Sequence, residues 1–166
     1  MNTVRFISIG GILTTLAVIF QSAPVFLSAI GLALCPFSTL PIALAAYFNI
    51  SLGITVLCSS VLLLTFISVQ EALILLFTTG LLGVVTGLLY KRGIFVSILY
   101  SAIALTIGMV ILTYLVGVSA FGDFTNSLSI PKTLVIFTVF SLIYTSLWNI
   151  FLKKFIHYLN KIKVLN

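Results

Sequence analysis

FSTLPIALAAYFNISLGITVLCSSVLLLTFISVQEALILLFTTGLLGVVTGLLYKRG, from Phe37 to Gly93, decides the fold. It contains three apolar spans separated by turns at Asn49–Ser51 and Ser68–Glu71, and its first basic residues are Lys91 and Arg92. Apolar sequence of this length has no face to offer water, so its solvent must be lipid. It reads as a membrane hairpin followed by a return helix, and the chain extends it on both sides.

Composition agrees. Hydrophobic residues make up 61% of the 166 and charged residues 6%, against about 25% charged in a soluble domain. At about 20 residues per crossing, roughly six helices fit, in one bundle. The net charge of +6 does not point to nucleic acid, because no basic patch interleaved with aromatics exists. The positive residues Arg5, Lys91–Arg92, Lys132, Lys153–Lys154 and Lys161–Lys163 sit beside span ends, where the positive-inside rule places them.

The expected class is therefore all-α, a polytopic six-transmembrane-helix bundle with both termini cytoplasmic. The spans fall at about 4–22, 38–48, 50–67, 71–90, 94–117 and 132–155 of a single integral membrane domain. Counting crossings from the cytoplasmic Lys91–Arg92 turn puts Arg5 and the tail from Lys153 inside and only Lys132 outside. The first apolar run is read as a retained helix, since Gln21 and Pro24 spoil a signal-cleavage site at Ser22–Ala23.

Residues 23–37 are the least regular part. SAIGLALCP is too short to cross alone, so 23–37 reads as a re-entrant or lid-like segment, or as the first half of a helix running to Phe48 with kinks at Pro36 and Pro41. On the first helix Gly10, Thr14, Ala17 and Gln21 fall at i, i+4, i+7 and i+11, a face of mostly small residues. It suits close packing within the bundle or docking on a partner subunit. Gly83-xxx-Gly87 is a second close-approach motif, best read as an intrachain contact.

Enzyme chemistry has little to work with. Glu71 and Asp123 are the only carboxylates, both at expected outer ends, and His157 is alone in the basic tail. No nucleophile–base set, acid–base pair, metal-ligand cluster or phosphate-binding loop can be assembled, so we expect no enzyme, no metal and no cofactor. Cys35 and Cys58 lie in apolar sequence and read as small hydrophobes. What remains is a polar and aromatic set near the outer end that suits a small molecule: Gln21, Glu71, Tyr114, Asn126, Tyr144 and Trp148. Ser141, Tyr144, Thr145 and Trp148 share one face of the last helix.

The passages STLPIALAAYFNISLGITVLCSSVLLLTF and FTTGLLGVVTGLLYKRG carry a resemblance. A Leu-Pro start of helix 2, a turn into helix 3 and a glycine-rich helix 4 ending in a basic turn resemble the substrate-binding S components of energy-coupling-factor (ECF) type ABC transporters. The resemblance implies capture of a vitamin or related micronutrient, with uptake driven by a transmembrane coupling subunit and cytoplasmic ATPase subunits. It implies docking on that subunit through Gly10, Thr14 and Ala17, a loop over the ligand at 23–37, and a bacterial plasma membrane. The chain departs from the family at Asn49–Ile50, where a Gly-Pro is usual, and at Gly10 and Thr14, where alanines are. The alternative is a non-catalytic scaffold or accessory protein of envelope or cell-shape assembly, which needs no pocket.

Overall fold

The computed structural model of the chain describes residues 3–118 and 129–161. It is 95% helical, with no strand among the described residues. Five helical stretches are long and apolar enough to cross a membrane: Thr3–Phe48, Ile50–Ile67, Val69–Arg92, Ile94–Leu115 and Ile130–Tyr158. This is the make-up of a multi-pass membrane protein. Its outer surface is greasy, as lipid contact demands: Phe66 and Phe95 are 84% and 85% exposed.

The first stretch has 46 residues, roughly twice what one crossing needs. It does not run straight. Helix α1 (Thr3–Leu34) continues through Pro24 and breaks at Ser28, whose φ of 46° and ψ of −120° lie outside the helical region. The chain then doubles back. A Cβ on Gly31 would run into the backbone of Ala23 and Pro24, so only glycine permits this reversal. Helix resumes through a 3-10 turn, Cys35–Ser38, into α2 (Thr39–Phe48). The segment 23–37 thus combines the end of one helix, a tight reversal at Ser28 and the start of the next.

α2 is the centre of the bundle. Pro41 lies in its first turn, where a missing N–H is tolerated, and Pro41 to Ala46 are all buried. Asn49 then caps α3 (Ile50–Ile67), its side-chain oxygen accepting from Ser51 N–H at 2.9 Å. Gly53 lets α3 leave this turn flat against α2, since a Cβ there would lie 2.7 Å from Ala46 Cα. Ser68 caps α4 (Val69–Ile74), which passes through a π-helical turn, Leu75–Thr79, into α5 (Gly80–Leu89). Gly83 and Gly87 both face α2, and a Cβ on Gly83 would sit 2.9 Å from Thr39 O. The Gly-xxx-Gly motif therefore brings α5 onto the central helix.

After the 3-10 turn Tyr90–Arg92, α6 (Ile94–Val110) ends in a second π-helical turn, Ile111–Leu115. A buried Thr86–Ser101 hydrogen bond of 3.0 Å ties α5 to α6. Helix α7 (Ile130–Lys161) packs on α6 through Leu105, Met109 and Phe137, and on α2 through Leu152 and Ile156. α1 packs on α2 and α3 through Leu13, Ala17, Ile42, Leu52 and Val56.

Candidate ligand-binding cavity

At the end of the bundle where Ser28 reverses the chain, Glu71 is the one carboxylate among the described residues. Ser68-Val69-Gln70-Glu71 has the spacing of a capping box, in which the glutamate would return to the Ser68 N–H. Only half of that box forms. Glu71 N–H donates to Ser68 Oγ at 3.4 Å, but the Ser68 N–H is already engaged by Leu64 O at 2.7 Å. The carboxylate is left to turn inward.

It meets Gln21, which is completely buried. Gln21 Nε2 donates to Glu71 Oε2 at 2.8 Å. On its other side Gln21 Oε1 accepts from Ser38 Oγ at 2.8 Å and from Thr79 Oγ1 at 3.2 Å, and the two hydroxyls lie 3.3 Å apart. The amide orientation follows from these partners: a carboxylate can only accept, so the NH2 must face it. Three side chains, from α1, the 3-10 turn and the π turn, thus hold the carboxylate of α4 in place. No Lys or Arg among the described residues pairs with it.

Glu71 faces a cavity of about 280 Å³. The reversal supplies one wall through Pro24, Leu32, Cys35 and Pro36, and Ile74, Thr78 and Thr79 continue the wall that Glu71 begins. Leu105, Met109 and Leu112 from α6, with Phe140 and Tyr144 from α7, close the far side. Both π turns border this space, through Thr78, Thr79 and Leu112. Such turns widen a helix locally and recur at functional sites. Gly108 lets α6 approach the first of them, because a Cβ there would run into Phe77 O. Apart from Glu71, the groups available to a ligand are the threonine hydroxyls, the free thiol of Cys35 and the Tyr144 phenol, set among apolar side chains.

No family model, curated protein or solved structure matches this chain.

Of the residues singled out from the sequence, Glu71 and Tyr144 line the cavity, and Gln21 stands behind Glu71 as its holder. Trp148 is buried behind the wall: its ring lies 6.3 Å from Tyr144 and 5.9 Å, edge-on, from Phe37, bracing α7 against the 3-10 turn. Tyr114 lies on the second π turn, half exposed, and is not part of the lining. Asn126 and Asp123 lie outside the described residues. Thr14 and Ala17 are buried within the bundle, and a Cβ on Gly10 would lie 3.3 Å from Leu52 Cδ1 of α3, so this face of α1 packs inside the chain. Ser38 and Thr79 were not singled out. Ile74 and Thr78 could have been, because they follow Glu71 at i+3 and i+7 on one helical face.

Proposed function

We propose that this chain is the substrate-capture subunit of a membrane uptake system, binding a small molecule in the cavity beside Glu71. The observation that carries the reading is a single carboxylate, held by a buried amide and facing an otherwise apolar space. Drawing a carboxylate inward from a helix end is costly, because its charge gives up water. Here three further polar side chains are committed to fixing it. A ligand with a compact apolar or aromatic body and one donor group, such as an amine, would satisfy both parts of the site. At about 280 Å³ the space lies just below the range of roughly 300–1,000 Å³ usual for ligand pockets, so the ligand is small.

In this reading the bundle crosses the membrane six times, the reversal at Ser28 dividing the 46-residue stretch into two passes. Both termini then lie in the cytoplasm of a bacterial cell and the cavity opens outward, in keeping with Arg5, Lys91–Arg92 and Lys153–Lys154 lying at the other end and only Lys132 outside. The chain has no nucleotide-binding loop, so energy comes from partners. The resemblance to ECF S components supplies their nature: a transmembrane coupling subunit and cytoplasmic ATPases, with a vitamin-like micronutrient as cargo. The wall from Pro24 to Pro36 is the part that would move to admit it.

The test is purification of the full chain in mild detergent, with mass spectrometry of co-purifying proteins and extracted small molecules. A small molecule retained by the wild type and depleted in Glu71→Gln, together with a membrane subunit and ATPases, supports the proposal. Envelope-assembly proteins with no small molecule would sink it in favour of a scaffold.

A further inference from the structure

The opposite end of the bundle holds a second pocket, of about 270 Å³, where α5 ends, α6 begins and α7 passes. Its charged groups are Lys91 and Lys153, more than sixty positions apart in sequence and joined only by the fold. Neither has a carboxylate nearby: the one described, Glu71, lies at the far end of α4–α5, about 30 Å away at 1.5 Å per residue. Lys91 Nζ is held 5.2 Å above the Tyr47 ring, which fixes its ammonium without neutralising it.

Two further features face the same space. α6 is 17 residues long and starts after Gly93, with φ of 117° and no side-chain cap, so its first N–H groups are unclaimed. Ser97, on its first turn, is completely buried, lines the pocket, and its Oγ has no hydrogen-bond partner. A buried hydroxyl without a partner is rare. Beside it Asn149 Nδ2 uses one hydrogen on Thr145 O at 2.8 Å and has a second to give. Two ammonium groups, uncapped helix N–H groups, a hydroxyl and an amide are all donors. The pocket is a receptor for an anion.

The geometry points to a phosphate-binding site at the basic end of the bundle, occupied by the headgroup of an anionic lipid. Lipid is favoured over free phosphate because the pocket lies at the basic end of helices long and apolar enough to cross a membrane, where a headgroup can enter it while its acyl chains stay in the bilayer. Basic pockets between membrane helices take such headgroups. The site is independent of the cavity at Glu71 and needs no cargo.

The test uses the full chain in detergent, titrated with dioleoyl phosphatidylglycerol or dioleoyl phosphatidylcholine and read by native mass spectrometry. A parallel arm follows thermal stability in inorganic phosphate. We expect one phosphatidylglycerol held in preference to phosphatidylcholine, with Lys91→Gln and Lys153→Gln each weakening it by about five-fold and Ser97→Ala by a similar factor. Lys132→Gln and Lys161→Gln, which remove equal charge elsewhere, leave it unchanged. Stabilisation by inorganic phosphate alone, with the same dependence on Lys91 and Lys153, would keep the site and change the source. Equal binding of the two lipids with no effect of phosphate would overturn it, as would equal losses in the Lys132 and Lys161 variants. Both lysine substitutions are at exposed positions, so their readout does not depend on tolerance at the buried serine.

Discussion

The two ends of the bundle solve opposite problems. At the Glu71 end a negative group is drawn into the protein and secured by Gln21, Ser38 and Thr79. At the Lys91–Lys153 end positive groups stand at the rim, and the buried hydroxyl behind them, Ser97, has no partner. One site brings its own charge and fixes it in advance. The other presents donors and lacks an acceptor. In the reading proposed above, ligands of opposite sign belong to opposite ends. The helices between them are closely packed, as Gly83 and Gly87 against α2 illustrate.

That contrast can be broken most severely through the packing both ends share. Gly83→Leu drives a side chain into Thr39 O and Ile42, and overpacking of this kind costs up to about 3 kcal/mol. We expect a lower thermal midpoint in detergent, and loss of the co-purified small molecule because Ser38 and Thr39 are displaced together. Gln21→Leu attacks one end only. It leaves Ser38, Thr79 and Glu71 without their common partner, at about 2 kcal/mol, and the melting temperature should fall while phosphatidylglycerol binding at the other end is kept.

Glu71→Gln sharpens the comparison further. Shape and hydrogen bonding are retained but the charge is lost, so retention of a ligand amine should drop about ten-fold with little change in stability. An unchanged ligand content would show that the carboxylate does not face the ligand. The smallest effect is expected at Asn49→Ala, which removes the cap of α3 at the end of the bundle away from Glu71, two residues after Tyr47. It should lower stability by about 1 kcal/mol and leave retention of the small molecule at the Glu71 end alone. A ligand loss there would mean the two ends are not separable.

Several parts of this arrangement were legible in the residues. Asn49 and Ser68 are capping residues at breaks in apolar runs, and the structure uses both as caps. Pro41 and the small residues after it mark a helix that neighbours approach closely, and α2 is that helix. Glu71 drew attention because a carboxylate is rare in such a chain, and Tyr144 because it shares a face with other polar and aromatic residues. Ser38 and Thr79 gave no such signal. Serine and threonine occur throughout membrane helices and usually bond their own backbone, as Thr55 and Thr65 do. Nothing local tells which hydroxyl will reach across to another helix.

What the sequence by itself determined is the solvent and the secondary structure. Apolar runs of spanning length force helices, because lipid satisfies no backbone group, and scattered positive charges mark the ends of those helices. The tertiary structure alone decided where the chain turns back, since Ser28 looks unremarkable until Gly31 is pressed against Ala23. It alone decided that Gln21 meets Glu71 across fifty positions of chain and that Lys91 and Lys153 share a pocket with Ser97. Hydropathy is a property of each residue and its neighbours along the chain. Which polar groups converge depends on helix rotation and register, which are set by close packing among many residues at once.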